Sequence, residues 1–199
     1  YKYGLKNLGL TIKYVDEDGE ELQTATGREL LYGGSYDLVT DNTIENARMI
    51  TVGTGSDEKQ YVLDSIEGAV TGSNVTEAVT VTLVYSLDED ENEVPDKYQA
   101  TVSYKVEGGT FKEAEGTDKT TVTQTYNMKK WDEASKTWVD DPKKLENIPT
   151  PEAGTGYDPA SGAWVGEEPT NDTTVEDGKE YTYKYGLKNL GLTIKYVDE

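Results

Sequence analysis

Four stretches of the chain alternate between apolar and polar side chains. Leu10, Ile12 and Tyr14 are interleaved with Thr11 and Lys13, and Val79, Val81, Leu83 and Tyr85 with Thr80 and Thr82. Val102, Tyr104 and Val106 alternate with Thr101, Ser103 and Lys105, and Tyr181, Tyr183 and Tyr185 with Thr182 and Lys184. Successive side chains of a strand point to opposite faces, so this period of two predicts strands with one buried and one wet face. Thr, Val and Tyr suit such half-buried pleated surfaces. Helical periodicity is scant, with a turn or two expected at residues 43–47 and 142–146. The predicted fold class is mainly β.

The order of these strands suggests two small modules. Between Tyr85 and the next alternating stretch lies LDEDENEVPDK, with five acids among its first seven residues and almost nothing to bury. It reads as a solvated spacer, extended by self-repulsion. The seventeen residues YKYGLKNLGLTIKYVDE also occur twice, at 1–17 and again at 183–199. A match of that length implies a tandem unit, here one repeat of 182 residues and the start of another. The expected organisation is therefore the end of a preceding repeat and its joint (1–9), a first module (10–86), an acidic linker (87–97), a second module (98–186), and a joint with the next repeat's first strand (187–199). Stacked end to end, such modules are expected to form an elongated rod. The strand over 190–199, cut off from its own sheet, is expected to fray or to pair with a sheet edge.

LTIKYVDEDGEEL, followed by Gly33-Gly34-Ser35-Tyr36, Tyr61-Val62-Leu63, Glu67-Gly68, Gly72 and the Val79–Tyr85 alternation, resembles the MucBP (mucin-binding protein) repeat of Gram-positive surface proteins. The likeness spans the first module, with an insertion implied through residues 50–60. VSYKVEGGTF (102–111), IPTPEAGTGYDPASGAW (148–164) and TTVEDGKEYTYKYG (173–186) make the second module similar to the B-repeats of such proteins, although residues 126–144 depart from that pattern. Both resemblances imply β-grasp-like folds, a non-catalytic role in an adhesin or its stalk, an extracellular cell-surface location with wall attachment supplied elsewhere, and host mucin or another glycoconjugate as partner. Neighbouring repeats of the same chain are the other implied partners. A dedicated carbohydrate-binding module is the alternative, and an accessory domain of a secreted glycan-degrading enzyme a more remote one.

Charge and composition remove several other classes. With 39 acidic against 19 basic residues the net charge is −20, which opposes binding to nucleic acid or to an anionic membrane surface. Val, Ile, Leu and Phe number only 38, so the 15 Tyr and three Trp must supply much of the core. Neither Cys nor His is present, which excludes disulfides, thiolate chemistry and imidazole general bases. The acids offer carboxylate pairs everywhere, but nothing in the sequence singles one out, and no catalytic residue is assigned. No Gly-rich loop is followed by the helix and Lys of a phosphate site.

Two constellations are candidates for binding. Trp131, Trp138, Tyr157 and Trp164 offer aromatic faces on which sugar rings can pack. Core positions are expected for Tyr157 and Trp164. Trp131 and Trp138 flank the polar turn at 132–136, and a hairpin there would either bury one ring or expose both. The candidate metal ligands are Asp16 and Asp18 in DEDGE, and Asp88 and Asp90 in the acidic stretch, whose other acids, Glu89, Glu91, Glu93 and Asp96, could join them. Around Asp16 the Asp-Gly pair favours a plain hairpin turn with solvated acids over a calcium loop. No cofactor is expected, and Ca²⁺ is the less favoured reading at either place.

Overall fold

A computed structural model describes residues 4–114 and 119–191. In chain order its strands are β1 (Leu10–Asp16), β2 (Glu21–Arg28), β3 (Tyr36–Asp37), β4 (Met49–Val52), β5 (Lys59–Glu67), β6 (Thr71–Gly72), β7 (Val79–Asp88), β8 (Gln99–Glu107), β9 (Gly109–Phe111), β10 (Thr121–Asn127), β11 (Lys129–Asp132), β12 (Thr137–Asp140), β13 (Pro151–Ala153), β14 (Ala163–Trp164) and β15 (Lys179–Lys184). The α-helix among the described residues, α1 (Thr43–Asn46), is a single turn. The fold is mainly β, as the alternation predicts. Contacts divide the chain into two units, residues 1–99 with 129–140, and residues 100–128 with 141–199.

The first unit carries a five-stranded sheet in the order β2-β1-β7-β5-β4. At its centre β1 and β7 run parallel, from Leu10 opposite Val79 to Asp16 opposite Tyr85. The flanking strands are antiparallel to them, β2 on β1 and β5 on β7, with β4 antiparallel to β5 beyond. A first and a last strand paired in parallel need a long crossover between them, which here contains the helical turn. This arrangement is β-grasp-like. The core is largely aliphatic: Leu10, Ile12, Leu38, Ile44 and Leu83 are buried around Tyr85. Tyr85 also donates its hydroxyl to the carbonyl of Ala47, at the end of α1, at 2.5 Å.

The second unit has a four-stranded sheet, β10-β8-β15-β14. β8 and β15 again pair in parallel, from Val102 opposite Lys179 to Glu107 opposite Lys184. The edge strand β14 is antiparallel to β15 and only two residues long. Aromatic rings fill much of this core. Tyr104 stacks on Tyr181 with ring centres 5.7 Å apart, and Trp164 meets Tyr104, Tyr181 and Tyr183 edge-on.

The expected helix over 142–146 does not form. Residues 143–145 pair with 173–175 instead: the amide of Leu145 donates to Thr173 and that of Val175 to Lys143, both at 2.9 Å. Leu145 enters the core as the one fully buried side chain of that segment, and one inward residue is better served by an extended chain than by a helix needing an apolar stripe. Of the strand expected over 190–199, residues 192–199 lie outside the described residues, and Leu190 is exposed.

Candidate functional site

The residues singled out from the sequence fall at four places. The first is the β11–β12 hairpin, which belongs to the first unit and lies within the segment that departs from the B-repeat pattern. Trp131 and Trp138 are directly opposed across it, ring centres 5.7 Å apart and edge to face. The turn is held by Asp132, whose carboxylate accepts from the Ser135 amide at 2.9 Å. Those hydrogen bonds, the hydroxyl of Ser135 first, hold the Asp132 carboxyl below the usual carboxylate range.

Both indoles are half-buried. Trp131 packs on the first unit's core, with the Arg48 guanidinium 5.0 Å from its ring centre. The Trp138 indole N–H donates to the carbonyl of Leu63 at 2.9 Å. That position is prepared by a bulge in β5, where the ladder to β7 slips between Leu63 and Ser65. Asp64, at the bulge, accepts from the Tyr98 hydroxyl at 2.6 Å and from Lys97 at 2.9 Å. Tyr98 lies 5.5 Å from Trp138, and burial, followed by the Asp64 hydrogen bond, pushes its phenol up to about 12. The hairpin is thus fastened by indole N–H, aromatic packing and cation–π contacts together.

The acidic candidates fall in two different settings. Asp16 Oδ1 accepts the amides of Asp18 and Glu20 at 3.0 and 2.8 Å, and Gly19 takes the left-handed conformation (φ 84°) that the turn requires. The carboxylate of Asp16 therefore closes a hairpin turn. Asp88 and Asp90 instead lie in a folded loop, where an extended spacer is expected from charge alone. Asp88 is fully buried and accepts the amides of Asn92 and Glu93 and the side chain of Gln60, at 2.9–3.1 Å. Buried N–H donors at the end of β7 offset the repulsion that would stretch the segment.

Asp88, Asp90 and Asp96 each bring one carboxylate oxygen within 4.8 Å of the others. Counted from Asp88, the donors fall at loop positions 1 (Asp88), 3 (Asp90), 5 (Asn92), 7 (the Val94 carbonyl), 9 (Asp96) and 12 (Gln99), the spacing of a twelve-residue calcium loop. Glu93, at the sixth position, has φ 68°, in the region where such loops carry Gly. Gln99 Nε2 reaches Asp90 at 3.1 Å and the Val94 carbonyl at 3.4 Å. These are the residues that could hold a divalent cation, with Gln99 in place of the usual bidentate Glu. Of the acids in that stretch, the structure brings Asp96 to Asp88 and Asp90, and Gln99 is the addition to the sequence-based candidates, which a twelve-residue frame laid from Asp88 finds.

The remaining aromatic candidates, Tyr157 and Trp164, belong to the second unit. Tyr157 is half-buried against Gly108, where an added Cβ would meet its ring at 2.5 Å. Trp164 pairs with Tyr183 across β14 and β15, ring centres 5.1 Å apart. Both rings line a groove of about 590 Å³ together with Thr150, Pro151, Gly162 and Glu168. At Gly162 a Cβ would lie 2.5 Å from the Tyr185 ring and 2.6 Å from the Tyr183 hydroxyl, so only glycine lets the chain pass so close above these rings. The four aromatic candidates are therefore divided, two in each unit.

No helix among the described residues is long and apolar enough to cross a membrane. No curated protein matches the chain. One family does: the MucBP domain matches residues 9–86, the part of the first unit that carries nearly all of its five-stranded sheet.

Proposed function

We propose that this chain is a non-catalytic repeat of a Gram-positive cell-surface adhesin, which spaces the protein from the cell wall and contacts mucin-type glycoconjugates. The observation that carries this reading is the MucBP match over residues 9–86, since that family is a non-enzymatic adhesion module of surface proteins. The recurrence of residues 1–17 at 183–199 supports a tandem array. The high negative charge favours solubility and disfavours association between identical repeats.

The test is retention of the whole 199-residue chain on immobilised mucin. Saturable binding that free mucin competes away is expected. A flat response on mucin and on a glycan array, with an extended scattering profile for a multi-repeat chain, would leave the spacer role alone.

A further inference from the structure

We infer that the groove walled by Trp164 and Tyr183 is a saccharide-binding site, and that it takes a neutral hexopyranose rather than a sialylated or sulfated one. This rests on the glycoconjugate-binding reading above and adds a place and a ligand class that the MucBP match, confined to residues 9–86, does not supply.

Size and lining both fit. About 590 Å³ lies within the range of small-ligand sites, roughly 300–1,000 Å³. A pyranose has one face of C–H bonds and a rim of hydroxyls. The C–H face packs on aromatic rings, and the hydroxyls need a few placed hydrogen-bonding groups. Trp164 and Tyr183 supply the rings, both only half-buried. The Trp164 indole N–H makes no hydrogen bond among the described residues, so it can donate to a ligand oxygen. Glu168 is exposed and has neither an ion pair nor a hydrogen bond among them, so its carboxylate can accept from sugar hydroxyls. Gly162 keeps the rings uncovered, because no side chain fits there.

The charge of the ligand follows from what the groove lacks. Its eight lining residues include one carboxylate and no Lys or Arg. A carboxylated or sulfated sugar would bring its anion beside Glu168 on a chain of net charge −20, with no cation to receive it. A cavity of about 410 Å³ in the first unit makes a useful contrast. Arg28 there is paired with Asp41 and Thr43, and Tyr14 with Thr26, while the side-chain amides of Gln23 and Asn46 also line it. Its lining holds one aromatic ring, Tyr14, and that ring is buried, so it offers no platform for the C–H face of a sugar.

The test is titration of the whole chain with N-acetyllactosamine and with its 3′-sialylated form, read by calorimetry and by saturation transfer from the indole protons. The neutral sugar should bind at least fivefold tighter than the sialylated one. Glu168→Ala, at an exposed position, should weaken it at least fivefold without moving the thermal transition. Trp164→Phe, which keeps an aromatic ring in the core, should weaken it as well. Unchanged binding in both variants, or preference for the sialylated sugar, overturns the assignment. If mucin retains the chain and both variants are retained equally, the groove falls and the adhesin reading stands. If the sugar binds in the groove but mucin does not retain the chain, the reverse holds.

Discussion

Tyr85 of the first unit and Tyr104 of the second hold matching places, each fully buried on a central strand of a parallel pair. Their surroundings differ. Tyr85 lies among Ile12, Ile44 and Leu83, and its hydroxyl reaches the Ala47 carbonyl. Tyr104 lies among Tyr181 and Trp164, and its hydroxyl is buried with no hydrogen-bond partner among the described residues. Burial pushes both phenols well above their ordinary pKa. One strand frame thus accepts an aliphatic core capped by a helical turn, or an aromatic one covered by irregular chain. The second solution leaves rings at a rim, and the groove of Trp164 is its consequence.

Truncating each core gives the largest effects and puts the comparison at most risk. Tyr104→Ala is expected to cost about 3–5 kcal/mol, as large aromatic-to-alanine changes do. Leu83→Ala should cost about 2–5 kcal/mol. Tyr104→Ala should be the costlier, because it also loses ring–ring contacts worth about 0.5–1.5 kcal/mol each. Denaturant unfolding followed by indole fluorescence can read both, since Trp164 reports on the second unit and Trp131 and Trp138 on the first. A greater loss for Leu83→Ala would mean that the aromatic core is the looser of the two.

Removing only the hydroxyls sharpens the contrast at smaller scale. Tyr85→Phe leaves the Ala47 carbonyl without its partner and should cost about 1–2 kcal/mol. Tyr104→Phe removes a buried hydroxyl that has no partner among the described residues, so it should be neutral or stabilising by up to about 1 kcal/mol. Equal losses in the paired chemical melts would show that the Tyr104 hydroxyl is hydrogen-bonded after all.

The alternating stretches are legible as strands: they are β1, β7, β8 and β15, the central pair of each sheet. Their parallel pairing is not, because a period of two fixes which face is buried and says nothing about which neighbour runs alongside. The Trp131–Trp138 hairpin is also legible from the two rings and the polar turn between them. Its seat on the first unit depends on a carbonyl beside a bulge at Asp64, far away in sequence, and no local pattern signals that. At 88–99 the reading by net charge misses a loop organised by hydrogen bonds, for charge density alone does not reveal that Asp88 turns inward.

That loop supplies the smallest effect, at Asp96. Burial raises the pKa of its carboxyl, the Glu89 amide pulls it partly back, and the charges of Asp90, Glu89 and Asp88 raise it further. A folded-state pKa above the unfolded one means that the ionised acid opposes folding. The penalty is present above the folded pKa and disappears as pH falls below the unfolded value, about 3.9. Asp96→Asn removes the charge but keeps an oxygen that can accept from the Glu89 amide at 3.1 Å. In chelator it should therefore melt slightly above the wild type at pH 7, and the difference should close towards pH 3.5. Repeating the melts in Ca²⁺ adds a second decision. If Asp88, Asp90 and Asp96 share a cation, the wild type gains more from Ca²⁺ than the variant, and the order reverses. If the order is the same in Ca²⁺ and in chelator, Asp96 is an acid held by the loop at a cost, and the contrast between the two units rests on their cores alone.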